Sequence, residues 1–140
     1  MPTEKLLCTG RAGTQTFYAD IQHTHDRLGE EWVIVVTKEP GLTDGAPEYY
    51  AEFREMPNGR EVRSDDLEAP EALRGLGITE AVFGLITRLS GRRVVSSSIT
   101  NPLDGVIEHR GPHAEKMWQR FMHLGHATYD PEADRYTWVP

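Results

Sequence analysis

The clearest periodicity in the chain lies between Ile78 and Leu89, where it predicts an amphipathic helix. Apolar residues recur there at the i, i+3, i+4, i+7 spacing that places side chains on one helical face. Gly91 follows at the position that a capping glycine usually takes after a helix end. The residues of this apolar face are Ile78, Ala81, Val82, Leu85, Ile86 and Leu89.

A second helix is predicted over about residues 113–124. Pro112 lies near its start and Gly125 just past its end, which is where these two residue types favour helix boundaries. Its apolar residues again share one face, so we expect this helix to pack on the same core as the first. They are Ala114, Met117, Trp118, Phe121 and Met122.

Several runs of β-branched and alternating apolar residues predict strands. Residues 32–37 are continuously apolar up to Thr37, which is typical of a strand buried on both faces. Residues 49–55 and 60–64 flank the turn sequence Pro57-Asn58-Gly59 and predict a hairpin. Further strands are expected at residues 5–8, 92–98, 127–129 and 135–139, and at 16–24, which also fits a frayed helix. The acidic stretch 65–73 is expected to be a connector.

These elements predict an α+β fold in one domain spanning residues 1–140. Its central sheet would be mostly antiparallel, with two main helices packed on it and a C-terminal β-hairpin. The net charge of −7 argues against direct nucleic-acid or anionic-membrane binding, both of which favour a basic surface. Cys8 is the only cysteine, and residues 1–5 do not resemble a signal peptide, so a cytoplasmic setting is expected.

The sequence Arg74-Gly75-Leu76-Gly77-Ile78-Thr79 at the start of the first helix is a candidate phosphate site. The first N–H groups of a helix lack intrahelical partners, and the helix dipole adds positive charge there. Glycines would let a phosphate approach the backbone closely. The same sequence also fits a simple tight turn, because short glycine motifs are common.

The order of glycine turn, helix, strand, second helix and hairpin resembles the Gcn5-related N-acetyltransferase (GNAT) superfamily. The coenzyme A signature of that family is Arg/Gln-x-x-Gly-x-Gly/Ala, which Arg74 and Gly77 match and Thr79 does not. The likeness extends over about residues 48–139 and is greatest to short GNAT-like proteins of phages and mobile elements. It implies a GNAT-like fold, here with a reduced or rebuilt N-terminal third, because residues 1–31 show no convincing pair of helices.

The resemblance implies acetyl-CoA as cofactor and assigns residues to it. The backbone of Arg74, Gly75, Leu76, Gly77, Ile78 and Thr79 would hold the pyrophosphate. Ser64, at a strand end, would bond the pantetheine arm, and Ser97 would face the same cleft. Trp118 stands where many members have a tyrosine near the coenzyme A sulfur, so it either lines the cofactor channel or belongs to the core.

Transfer of an acetyl group to an amine requires a group that takes the amine proton. Glu52 is the first candidate for this general base, with Glu55 and Asp65 as alternatives. Tyr129 or Tyr136 would replace the missing general acid. His23-x-His25-Asp26 has a spacing that some metal sites use, but no further ligand pair accompanies it and no metal is predicted.

Three functions remain open at this stage. The chain is an acetyl-CoA-dependent N-acyltransferase acting on an unidentified amine, or a catalytically silent GNAT-fold protein that binds a host macromolecule such as a protein. Alternatively, it is an unrelated α+β structural or assembly protein in which the glycine turn is coincidental. A sheet without diverging strands near Ser64 would favour the third function, whereas acetyl-CoA binding and acetylation of an amine distinguish the first two. The oligomeric state is not predicted.

Overall fold

A single curled sheet of eight strands dominates the protein. The computed structural model describes residues 2–41, 45–103 and 105–140. The strands are β1 (Thr3–Gly10), β2 (Gly13–Asp26), β3 (Gly29–Thr37), β4 (Tyr49–Glu55), β5 (Glu61–Glu68), β6 (Arg93–Ser96), β7 (Ala127–Asp130) and β8 (Arg135–Trp138). The helices are α1 (Ile78–Ser90) and α2 (Pro112–His123), with a 3-10 turn at Glu71–Leu73. The spatial order of the strands is β1-β2-β3-β4-β5-β6-β8-β7.

The expected GNAT-like α+β fold class is wrong. The described chain is 43% strand and curls into a half-barrel, with only two helices packed on it, whereas that fold has a helix-rich core. The sheet is also mixed, because β5 and β6 run parallel and α1 forms the crossover between them. Local pattern located all eight strands, but it did not show that they join into one curled sheet that outweighs the helices.

The N-terminal third forms the antiparallel meander β1-β2-β3. Strands predicted at residues 5–8 and 16–24 are confirmed and extend well beyond those limits, so the frayed-helix alternative is wrong. The prediction that β3 is buried on both faces is wrong. Trp32, Ile34 and Val36 are buried, but Val33 and Val35 between them are only half-buried, because no helix covers their face of the sheet.

Both predicted helices are confirmed and pack on the other face of the sheet. Phe83 of α1 lies at the centre of an aromatic cluster, 5.4 Å from Trp118 and 6.0 Å from Phe121 of α2, measured between ring centroids. It also meets Phe53 of β4 edge-on at 5.8 Å. This cluster belongs to a single hydrophobic core that includes buried residues of all the strands. Trp118 belongs to this core, since only 2% of the residue is exposed.

The acidic stretch after Ser64 is strand rather than connector over its first half. Strand β5 continues through Asp65 to Glu68, paired with β4, and a bulge at Asp65 shifts the register between them. Glu68 and Asp66 lie opposite Tyr50 and Glu52 of β4. Strand β5 therefore runs four residues beyond the last residue that pairs with β6.

The glycine turn packs tightly against the hairpin that joins β1 and β2. Gly77 has φ +82°, and a Cβ placed there would lie 2.1 Å from the carbonyl oxygen of Thr9. Gly75 accepts a hydrogen bond from the backbone N–H of Arg11 at 3.0 Å. This close approach of two chain segments requires glycine whether or not a ligand binds. Neither helix, among the residues described, has the length and apolar content needed to cross a membrane.

We expect Gly77→Ala to lower the free energy of unfolding by about 3 kcal/mol or more, because left-handed strain adds to overlap with Thr9. Gly91→Ala is the matched control, since Gly91 also has positive φ (+67°) but faces open space. It should cost only about 1–2 kcal/mol. Urea denaturation of both variants measures the difference. Equal losses would show that the contact with Thr9 is not what requires glycine at position 77.

Candidate functional site

The central strands β5 and β6 diverge and leave a cleft in the sheet. Their parallel pairing runs from Glu61 and Arg93 to Ser64 and Ser96, where β6 ends. Within the described residues, no backbone hydrogen bond joins Asp65–Glu68 to the chain beyond β6. A cleft of about 1150 Å³ opens at this point. The edge of β5 that faces it is therefore free to pair with a ligand.

A buried aspartate on the turn between β7 and β8 holds the chain beyond β6 away from β5. Asp134 accepts hydrogen bonds from the backbone N–H groups of Ile99 (2.7 Å) and Thr100 (3.0 Å) and from the Ser98 hydroxyl (3.2 Å). Arg110 donates to a carboxylate oxygen of Asp134 at 2.7 Å and to the carbonyl of Ser97 at 2.6 Å. Side chains thus satisfy backbone groups that a longer β5–β6 ladder would otherwise use.

A second buried ion pair supports the same segment. Arg135 donates to both carboxylate oxygens of Glu108, at 2.6 and 2.7 Å, and to the carbonyl of Ser96 at 2.9 Å. Glu108 also accepts from the backbone N–H groups of Ser98 (3.0 Å) and Leu103 (2.6 Å). We call Glu108, Arg110, Asp134 and Arg135 the buried ionic network. It fixes residues 96–100, and through Ser97 and Arg110 it reaches the lining of the cleft.

Hydrogen bonding keeps both carboxylates of this network charged. Burial alone would raise the pKa of Asp134 and of Glu108. Hydrogen bonds from Arg110 to Asp134, and from Arg135 to Glu108, outweigh burial, with backbone N–H groups adding to the effect. The pKa of each group therefore lies below its ordinary value.

Most residues that the sequence assigned to a cofactor line this one cleft. Leu76 is the exception, because its half-buried side chain packs against the hydrophobic core. Thr79 is already engaged, since its hydroxyl lies 3.0 Å from the Tyr49 hydroxyl, and Arg74 donates to the carbonyl of Ala69 at 2.9 Å. The residues that were assigned to a cofactor and that line the cleft are Ser64, Arg74, Gly75, Gly77, Ile78, Thr79, Ser97 and Trp118.

The two residues assigned to catalysis do not reach the cleft. Glu52 lies between the buried residues Ala51 and Phe53 of β4, so it points to the opposite face of the sheet. Partial burial, and then the nearby carboxylates of Glu31 and Asp66, raise its pKa. The alternation of apolar and polar residues along β4 was the signal that could have placed Glu52 there.

Tyr129 lies on the edge strand β7, where its hydroxyl donates to Asp134 at 2.7 Å. That hydrogen bond is the main cause that raises the pKa of Tyr129 and makes it a weaker acid. Tyr136 donates to Glu115 at 2.8 Å. Both hydroxyl groups therefore donate to carboxylates in or next to the buried ionic network. Neither tyrosine is placed in the cleft as the general acid expected from the sequence.

Charged residues line the cleft in two groups, and of these the sequence singled out only Asp65, as an alternative general base. The basic group comes from the segment before α2 and from one stripe of that helix, where His113, Lys116 and Arg120 follow i, i+3, i+7 spacing. His109 and Arg110 precede them. The acidic group lies on the other side and consists of Glu48 just before β4, Asp65 at the bulge of β5, and Glu80 of α1. Asp66 and Glu68 border the cleft along the edge of β5, but they pair with Glu52 and Tyr50 and so lie on the same sheet face as those residues. The cleft can therefore hold a ligand with both anionic and cationic parts.

No group of three or more His, Cys, Asp or Glu side chains in the described ranges is placed to hold a metal ion. His23 of the sequence His-x-His-Asp stacks on Trp32 with ring centroids 4.6 Å apart and bonds Glu30 at 3.0 Å. Its ring thus packs on the sheet near the β2–β3 turn, whose ends are Asp26 and Gly29.

Comparisons of the chain with protein-family models, with curated proteins and with solved structures find no match. Membership of the acetyltransferase superfamily, acetyl-CoA binding and a cytoplasmic setting therefore stay predictions from the sequence. The candidate site depends on the geometry of the cleft alone.

We expect Arg110→Met to lower the free energy of unfolding by about 3–5 kcal/mol, because it leaves Asp134 buried without its charged partner. Arg88→Met is the control. Arg88 lies 2.8 Å from Glu4, but both side chains are substantially exposed, so this loss should cost about 1 kcal/mol or less. Urea denaturation at neutral pH measures both. A loss no larger than the control's would contradict a stabilising role for the network.

The lowered pKa values of Asp134, Glu108 and Glu115 also predict a pH dependence. Such groups stabilise the fold above their unfolded pKa values of about 4, and this contribution is lost as the pH falls toward the folded values. The free energy of unfolding should therefore drop steadily below about pH 4. Asp134→Asn should flatten that drop in a series of urea denaturations from pH 7 to pH 2.5. An unchanged slope would show that Asp134 does not carry it.

Proposed function

We propose that this protein binds an acyl-coenzyme A in the cleft between β5 and β6 and transfers the acyl group to an amine. The observation that carries this proposal is the divergence of β5 from β6 after Ser64 and Ser96. It exposes a strand edge along Asp65–Glu68 inside a cleft. The pantetheine arm of coenzyme A is extended and contains amides, so it can pair with such an edge as an added strand does.

The dimensions of the cleft support a ligand of this size. Its volume, about 1150 Å³, is slightly above the range of about 300–1,000 Å³ that small-molecule and cofactor sites occupy, so there is room for a ligand as large as coenzyme A. Apolar side chains of Ile78, Ala114 and Met117 line it together with the polar groups. An acyl chain and the methylene groups of the arm would contact these apolar surfaces.

The proposed reaction forms a C–N bond between the amine and the thioester carbonyl and breaks the C–S bond. The ammonium group first gives one proton to a base, and the second proton that the nitrogen loses passes to the departing sulfur, so that coenzyme A leaves as the thiol. Glu52 cannot take the first proton directly from the cleft. Glu48 and Glu80 line the cleft and would attract a cationic acceptor and receive its proton.

A specific observation favours a silent binding protein as the second candidate. Neither Glu52 nor Tyr129 reaches the cleft, and contact with Thr9 accounts for the glycine at position 77. An extended segment of a partner protein could pair with the free edge of β5 in place of a cofactor. Cofactor binding without turnover, or no cofactor binding, would favour this candidate.

Isothermal titration with acetyl-CoA tests the proposal. We expect a dissociation constant in the micromolar range for the unmodified protein. Ala114→Trp, which fills the cleft from α2, should weaken binding at least tenfold. Gln119→Trp is the control, because Gln119 is exposed on the same helix and does not line the cleft.

Circular dichroism of both tryptophan variants establishes that α2 is intact. Release of free thiol from acetyl-CoA in the presence of spermidine or a lysine-rich peptide then measures transfer. Heat that is unaffected by Ala114→Trp would place the ligand elsewhere. No heat with the unmodified protein would overturn the proposal.

A further inference from the structure

We propose that the phosphates of the bound ligand lie against α2, on the stripe formed by His113, Lys116 and Arg120, and not on the glycine turn at the start of α1. This inference rests on the proposed function for the identity of the ligand. It assigns the anion-binding surface of the cleft to residues that the sequence motif did not indicate.

The start of α1 is poorly suited to hold a phosphate. Glu80 lies in the first turn of α1 and lines the cleft, so its carboxylate already brings negative charge to the positive end of the helix dipole. A phosphate at the same place would be repelled. Gly75 and Gly77 are explained by contact with Arg11 and Thr9, so these glycines carry no further information about a ligand.

The stripe on α2 has the opposite character. Lys116 and Arg120 are one turn apart on the helix, both exposed, and both line the cleft. Neither of them takes part in an ion pair with another described residue. His113 lies one turn before Lys116 and extends the stripe. The side chains of Lys116 and Arg120 are therefore free to neutralise two phosphate groups.

The position of this stripe also fits the rest of the cleft. The protein has a net charge of −7, and the acidic group lies on the β5 side. Apart from Arg74, which donates to the carbonyl of Ala69, the cationic side chains that line the cleft lie on the α2 side, so a polyanionic ligand is attracted mainly to that wall. With its phosphates on α2, the extended arm can cross toward the free edge of β5, and a cationic acceptor can approach from the acidic wall.

The test compares Lys116→Gln/Arg120→Gln with the control Arg88→Gln/Arg93→Gln, which removes the same charge from residues that do not line the cleft. Titrations use three probes: acetyl-CoA, the phosphate-free S-acetylpantetheine and inorganic pyrophosphate. We expect the α2 variant to bind acetyl-CoA 10- to 100-fold more weakly and S-acetylpantetheine unchanged. Affinity for acetyl-CoA should fall with salt less steeply in the α2 variant than in the control.

Failure of this inference differs from failure of the proposed function. If the unmodified protein binds acetyl-CoA and the α2 variant binds it equally well, the phosphates lie elsewhere and the inference is overturned. If the unmodified protein binds pyrophosphate but not acetyl-CoA, and the α2 variant loses pyrophosphate binding, the anion surface is supported and the proposed cofactor is wrong. Binding of neither anion by the unmodified protein would overturn both.

Discussion

The buried ionic network at the end of β6 determines whether this protein has a cleft at all. Two parallel strands that start in register would normally stay paired, because separating them leaves backbone groups unsatisfied in the interior. Here Asp134 and Glu108 accept the N–H groups, and Arg110 and Arg135 donate to the carbonyls. The network therefore offsets the cost of separating the strands. The cleft, its lining and the surface of α2 that faces it all depend on that separation.

Burying four charged side chains is expensive, and a hydrophobic cluster of similar size would often be at least as stable. What such a cluster cannot provide is hydrogen bonding to a divergent backbone. Strand β6 is short, and the chain that follows it needs hydrogen-bond partners. Asp134, which has φ +52°, supplies them, because its carboxylate accepts from three consecutive residues at 98–100. The network therefore matters more for specifying the backbone geometry after β6 than for adding stability.

Features that depend on neighbouring residues could be predicted from the sequence, and features set by distant residues could not. The periodicity of α1 and α2 and the Pro57-Asn58-Gly59 turn are local, and the structure confirms them. The strand at Asp65–Glu68 was missed because charged residues resemble a loop unless the pairing with β4 is known. Buried roles for Glu108 and Asp134 were also invisible, since their partners lie up to 36 residues away along the chain. Most of the residues that the sequence assigned to a cofactor nevertheless line the cleft, because the glycine turn and Ser64 adjoin predicted element ends, but they are a minority of its lining.

The sheet order carries a consequence for the route by which the chain folds. Strands β1 to β5 are neighbours in both sequence and space, so each can be added by closing a short hairpin. The β5–β6 pair must wait for the α1 crossover, and β6 joins β8 only after α2 and the β7–β8 hairpin are in place. Contacts between distant parts of a chain form more slowly than local ones. We therefore expect the β5 side of the cleft to form early in folding. The opposite side should form last, so the cleft is completed only at the end of folding.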